Sequence, residues 1–221
     1  KSVGNFKAGL RVSKGLDLLE MDLNYEGVPK EELKDLFKSY RMKKKYYRLK
    51  NGSFIHLEDE NIGEVWDILK SLNISSKELS NESIELSKNA ALYLNNAFQD
   101  KQLQVEKNEA FSLLVEQILN PSITEYVLPG GINADLRTYQ VTGYKWLRTL
   151  AEHNLGGILA DDMGLGKTLQ AIVYMASIKK MSEKVQFLIV CPSSLIYNWQ
   201  DELENFAPNL TSEVITGTPK E

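Results

Sequence analysis

The stretch Gly156–Gln170, GGILADDMGLGKTLQ, decides how this chain is read. Gly157–Ala160 is short and apolar, as a strand buried in a parallel sheet is. From Lys167 a run of helix formers continues to about Lys179. Between them lies Asp161–Gly166, with glycines at 164 and 166. A strand, a glycine-containing loop and a helix start aim successive backbone N–H groups at one point, and the helix dipole adds partial positive charge. Phosphate is favoured there. Gly164 and Gly166 let the backbone approach phosphate oxygens closely. Asp162, Met163 and Leu165 complete the cradle, Lys167 faces the β- and γ-phosphates of a nucleotide, and the Thr168 hydroxyl is a ligand for Mg²⁺. ATP and Mg²⁺ are therefore the expected cofactors. The generic pattern G-x-x-x-x-G-K-[ST] nonetheless fails at its first position, where Asp161 stands. The plain alternative is a glycine turn beside a solvated lysine.

Working outward, Phe187–Cys191 reads as a second buried strand, followed by Pro192-Ser193-Ser194 and a helix ending at Phe206. Ser212–Thr216 is a third strand candidate. Upstream, Leu136–His153 carries Tyr139, Gly143, Tyr144, Leu147 and Leu150 in a helical pattern. Strand–loop–helix units with apolar strands imply α/β architecture, a parallel sheet covered by helices on both faces.

The first 120 residues follow another order, expected to be α+β. Residues 6–28 alternate through Leu16, Leu18, Met21, Leu23 and Tyr25 and read as one or two strands. Pro29 suits the first position of a helix bearing Leu33, Leu36, Phe37 and Tyr40. Two short strand-like runs flank Asn51-Gly52, a dipeptide that favours a type I′ hairpin turn. A second helix places Ile62, Val65, Trp66 and Leu69 on one face. Ser75–Ser87 is serine-rich and reads as a loop or short helix. Helices follow at about Ser87–Phe98 and Asn108–Asn120, the latter aligning Phe111, Leu114, Val115 and Ile118 and ended by Pro121. Residues 121–135, with Pro129-Gly130-Gly131, lack periodicity and read as a linker.

Composition narrows the function. Of 221 residues, 43% are hydrophobic and 25% charged, which is typical of a soluble protein able to bury a core. No 18-residue apolar run or secretory signal is present, so no membrane association is expected. One cysteine, Cys191, excludes an internal disulfide framework and fits the reducing cytoplasm; it reads as a buried small apolar residue. With two histidines besides, a Cys/His zinc site is excluded. The net charge is −4. Residues 1–130 hold 18 Lys/Arg against 20 Asp/Glu, and residues 131–221 hold 8 against 10, so each part is at −2. Any nucleic-acid contact must use local patches. One exists: Arg41, Lys43, Lys44, Lys45, Arg48 and Lys50, interrupted by Tyr46 and Tyr47. It is either a phosphate-and-stacking patch or a solvated helix end and protected strand edge.

Asp161–Thr168, DDMGLGKT, resembles motif I of the SWI/SNF-type helicase-like ATPases, usually written DEMGLGKT; in that family the first position is acidic. Leu136–Leu147, LRTYQVTGYKWL, is similar to the family's LRPYQ-x-x-G-x-x-WL segment, with Thr138 for the usual proline. Phe187–Pro208 resembles motif Ia and its following helix. The resemblance implies a RecA-like lobe, an amide at Gln140 that reads the adenine edge, and DNA-backbone contacts near motif Ia. Ser193, Ser194 and Asn198 are the contact candidates; a helix cap at Ser193 or Ser194 is the plainer role. Tyr139 and Trp146 serve the site or simply pack.

The expected organisation is an α+β accessory domain at 1–120, a linker at 121–135, and a truncated first RecA-like ATPase lobe at 136–221. The resemblance implies an ATP-dependent translocase on duplex DNA. A DEAH-type string and a second lobe with its arginine finger would lie in a longer parent, so this fragment is expected to turn over ATP negligibly. The alternatives are a P-loop small-molecule kinase or transferase, and a module at 1–120 that binds a protein partner.

Overall fold

The computed structural model describes residues 5–13, 18–75, 77–101 and 103–217, a mixed α/β chain in two units, 1–116 and 117–221. Leu16, part of the alternation noted above, lies outside the described residues.

In the first unit, β1 (Phe6–Val12) and β2 (Leu18–Tyr25) pair antiparallel, with Phe6 opposite Tyr25 and Val12 opposite Leu19. Period-two alternation buries Phe6, Ala8 and Leu10 of β1 and Leu19, Met21, Leu23 and Tyr25 of β2. Helix α1 (Lys30–Arg41) and helix α2 (Glu60–Ser71) contribute Leu33, Leu36 and Phe37, and Ile62, Val65, Ile68 and Leu69, to this core. Phe37 stacks on Phe6 at 5.8 Å and lies 5.9 Å from Trp66. Pro29 sits one residue before α1 rather than inside it, and Asp59 caps α2 by accepting from the Asn61 N–H at 3.0 Å.

Between those helices, β3 (Tyr46–Arg48) and β4 (Phe54–His56) form a two-stranded ribbon. Its turn is not type I′. Gly52 has φ +90°, but Asn51 is absent from the positive-φ residues. Leu49 instead donates to Ser53 at 2.8 Å and accepts from Gly52 at 2.9 Å, a three-residue connection closed by one left-handed glycine.

Two strands went unforeseen. β5 (Ile84–Ser87) pairs antiparallel with β2 inside the serine-rich stretch, and β6 (Gln104–Lys107) pairs parallel with β1, giving the order β5-β2-β1-β6. Both are four residues long, too short to show a period, and are held by their neighbours' ladders. Helix α3 (Ala91–Asp100) starts four residues later than expected, after a tight turn, and buries Leu94 and Phe98. Helix α4 (Glu109–Leu119) buries the four aligned residues Phe111, Leu114, Val115 and Ile118.

The second unit contains α5 (Thr138–Glu152), α6 (Lys167–Met181) and α7 (Ile196–Phe206). Tyr144, Leu169 and Val173 form one buried cluster; Ile172, Met175, Leu203 and Ala207 form another. Residues 121–135 fall within this unit: Tyr126, Ile132 and Ala134 pack on the first cluster, and the Tyr144 hydroxyl donates to the Val127 carbonyl at 2.9 Å. A segment without periodicity can still be fixed by single anchors.

The expected strands at 157–160, 187–191 and 212–216 are a correction: among the described residues none of them is a strand. A parallel strand is held by ladders to its neighbours, and these segments do not pair with one another. Ile158, Leu188, Val190 and Ile215 accordingly stand 84% to 89% exposed. Among the described residues no helix is long and apolar enough to cross a membrane.

Candidate functional site

The site is built on the N-terminus of α6. Gly166, immediately before it, is left-handed (φ 71°, ψ 42°) and Gly164 has φ +84°, so both positions require the freedom that glycine has. Asp161 is absent from the positive-φ residues, so the acid at the first position strains nothing. No side chain caps α6. Its first N–H groups thus face the loop without a side-chain acceptor, which suits an incoming anion.

Lys167 opens the helix and folds back over the loop, its ammonium donating to the carbonyls of Asp161 at 2.8 Å and Asp162 at 2.9 Å. Thr168 follows, half-buried in the first turn, while Asp162 and Met163 are exposed at the loop crest. Lysine, threonine, both glycines and the uncapped helix end thus converge on one loop. Those residues fit a nucleotide phosphate chain. Among the described residues no three of His, Cys, Asp and Glu gather into a metal site. A Mg²⁺ ion here would rest on Thr168 and the phosphates themselves.

Two glutamines brace the loop from beneath. Gln140, on α5, is buried; its side-chain oxygen accepts from the Arg137 N–H at 2.9 Å and its amide donates to the Leu165 carbonyl at 3.2 Å. Both ends of this amide are therefore used within the chain, on the helix start and on the loop. Gln170, on α6, is fully buried and donates to the Asp161 carboxylate at 3.3 Å. Sequence reasoning missed Gln170. The available signal was a polar residue one turn into α6, on the same side as Leu169 and Val173. Gly143 of α5 lies against Gln170 so closely that a Cβ there would fall on the Gln170 side-chain oxygen.

Trp146 packs on Gly157, where a Cβ would sit 2.6 Å from the indole, so its role here is packing; Tyr139 is exposed on α5. Ser193 and Ser194 are exposed in a tight turn ahead of α7, and Asn198 is exposed in its first turn. Neither serine caps: α7 starts without a side-chain cap. Cys191 is half-buried rather than buried.

Residues 1–129 match the family described as bacterial SNF2 helicase associated, and residues 139–221 match the SNF2-related domain. The chain belongs to the bacterial SNF2 helicase-associated family. In this family's arrangement here, the associated domain is followed by the start of the SNF2-related domain, which contains the loop, Gln140 and Gln170. Among curated proteins, the chain is 44% identical over 133 residues to TATA-binding protein-associated factor mot1 of Schizosaccharomyces pombe, covering 54% of this chain and 7% of that protein. It is 45% identical over 86 residues to ATP-dependent helicase fft1 of the same yeast, covering 39% and 9%. It is 35% identical over 140 residues to the putative ATP-dependent helicase/translocase YwqA of Bacillus subtilis, covering 63% and 15%. The chain thus spans only a small part of the length of these relatives.

Proposed function

We propose that this chain is the accessory domain and the beginning of the first RecA-like lobe of an ATP-dependent translocase on duplex DNA. The observation that carries the reading is the convergence of Lys167, Thr168, Gly164, Gly166 and an uncapped α6 N-terminus on one loop. ATP supplies the phosphoanhydride whose hydrolysis drives movement, and Mg²⁺ neutralises its charge. The chain's own residues bind and orient. Asp162, Met163, Gly164, Leu165 and Gly166 offer backbone, Lys167 exchanges two carbonyl partners for phosphate, and Thr168 presents its hydroxyl to the metal. Gln140 fixes the loop through Leu165 and keeps one amide hydrogen for an adenine edge. The apolar, exposed segments at 157–160, 187–191 and 212–216 have the composition of sheet strands. Ser193, Ser194 and Asn198 donate to DNA phosphates without reading sequence, a role their exposure supports. The kinase reading is not retained, since the match across 139–221 includes the segments upstream and downstream of the loop that a kinase does not require.

The test is ATP turnover by the full-length protein with and without duplex DNA, beside Lys167→Ala. Stimulation by duplex DNA, with turnover in the variant reduced about a hundredfold or more for loss of a phosphate-clamping charge, is the expected result. Turnover indifferent to DNA would overturn the translocase assignment.

A further inference from the structure

An open depression of about 900 Å³ lies at the C-terminal ends of α1 and α2, lined by Arg41, Lys43, Lys44, Lys70, Trp66 and Glu58 among others. Both helices close in the same way. Lys43 donates to the Tyr40 carbonyl at 2.9 Å and Lys44 to Ser39 at 3.2 Å; Asn73 donates to Lys70 at 3.0 Å and Ile74 to Leu69 at 3.0 Å. The residues in the left-handed position are Lys43 and Asn73, each at φ +54°. Such closures satisfy helix-end carbonyls with main-chain N–H groups, so the cationic side chains are not needed there as caps. Among the described residues no ion pair involves Lys43, Lys44 or Lys70, and the Arg41 guanidinium lies over Trp66 at 5.5 Å. Glu58 is turned to His56, 3.2 Å away. Four cations therefore share one concavity. Lys43 is notable in a second way: glycine is the residue that suits its backbone, and a lysine is kept there at a conformational cost.

The ribbon rises from the rim of this depression, where Leu57 donates to the Lys45 carbonyl at 2.9 Å. Tyr46 and Arg48 of β3 lie opposite His56 and Phe54 of β4, and strand alternation puts all four on one face. Tyr46 and Phe54 are 57% and 65% exposed. Tyr46 is 5.1 Å from the His56 ring, and the Arg48 guanidinium is 5.9 Å from the centre of Phe54. An exposed face of two aromatics, an arginine and a histidine is a platform on which bases stack, and the adjoining cations suit the connecting phosphates.

We propose that the depression and the ribbon face bind a single strand of nucleic acid, with phosphates against Arg41, Lys43, Lys44 and Lys70 and bases on Tyr46 and Phe54. Binding is local, because this part of the chain is net acidic, and its phosphate contacts make it weaken with salt through counterion release. All the residues of this site belong to the first unit, and the proposal does not depend on the ATPase reading.

The experiment is fluorescence anisotropy of labelled oligothymidine, about a dozen nucleotides long to suit ordinary single-strand site sizes, with the 221-residue chain across a salt series. Tyr46→Ala combined with Phe54→Ala is expected to weaken binding about tenfold or more at every salt concentration, as lost base stacking does. Lys43→Gly is expected to keep or raise the thermal midpoint, since glycine suits φ +54°. It should also lower the log–log salt slope by about 0.7, one phosphate contact. Four results would overturn the proposal: no binding at low salt, both variants binding like the unchanged chain, preference for duplex of equal length, or displacement by polyglutamate as readily as by unlabelled strand.

Discussion

Gly143→Ala tests the packing beneath the phosphate loop. On an isolated helix this change would help, since alanine is better than glycine by about 1 kcal/mol. Here the added Cβ would fall on the side-chain oxygen of Gln170 and lie 3.0 Å from its Cδ. Gln170 is fully buried, so its amide has no solvent to swing into. Moving it breaks the hydrogen bond to Asp161, and overpacking of this kind costs about 1–3 kcal/mol. A hydrogen bond to a charged group is worth roughly 1.5–3 kcal/mol when buried and less here, because Asp161 is exposed. The oxygen under the clash has no hydrogen-bond partner of its own, so nothing further is lost there. The balance is a destabilisation of about 2 kcal/mol, overpacking and the lost bond outweighing the propensity gain. Urea unfolding followed by tryptophan fluorescence measures it, since Trp146 and Trp199 both lie in this unit. Gln170→Ala removes the clash, so Gly143→Ala with Gln170→Ala should be less destabilised than the sum of the single changes by about 1 kcal/mol or more. A neutral or stabilised Gly143→Ala, or strict additivity, would refute the close-approach argument.

Two further outcomes follow from single positions. Gly166→Ala forces a side chain onto φ +71° and places its Cβ 2.5 Å from the Gln140 amide nitrogen. It should cost about 1–2 kcal/mol in backbone strain alone and weaken binding of a fluorescent ATP analogue, with unchanged affinity the refuting result. In the first unit, burial together with the neighbouring Glu32 carboxylate pushes the Tyr47 phenol up from 10.0 to about 12. The fold therefore favours the protonated phenol, whose contribution is complete below pH 10 and is lost as pH rises through about 12. A late-ionising tyrosine in an ultraviolet titration, and a shallower alkaline fall in urea midpoint for Tyr47→Phe, are the expected readings.

Much of the first unit was legible because its elements are periodic. Alternation through Met21, Leu23 and Tyr25 marked β2, and residues spaced three and four apart marked α1, α2 and α4, whose expected faces are buried apart from Tyr40 and Trp66, which are half-buried, as is Leu18 of the alternation. What was not legible was decided by partners. β5 and β6 are strands because β2 and β1 lie beside them, and no property of IELS or QVEK announces that. The opposite error came from the same cause: FLIVC has strand composition, yet composition without a ladder makes no strand. The turn at Asn51-Gly52 shows a finer limit, because the dipeptide fits more than one hairpin and loop length chose between them. Of the site, the glycines and lysine of the loop were legible as a strand-to-helix turn pattern, whereas the contacts of Gln140 with Arg137 and Leu165 were not. Nor was Gln170, since its importance rests on a contact with Gly143 across two helices.

The irregular first position of the loop now has a physical account. The generic pattern places glycine where backbone must be left-handed or side chains must be absent, and in this loop those needs fall on Gly164 and Gly166 alone. At Asp161 the backbone is ordinary, so a side chain is tolerated; its carboxylate takes the hydrogen bond of buried Gln170, while its carbonyl holds Lys167. The acid therefore gives the buried amide nitrogen of Gln170 an acceptor and keeps the lysine over the loop. Glycine at 161 could accept the lysine with its carbonyl but would leave the Gln170 amide without that acceptor. On the other side Gln140 ties Leu165 to the start of α5. The loop is thus held at both ends by amides from two helices. That is why its crest, Asp162 to Gly164, can stay exposed to an incoming ligand without the loop losing its shape.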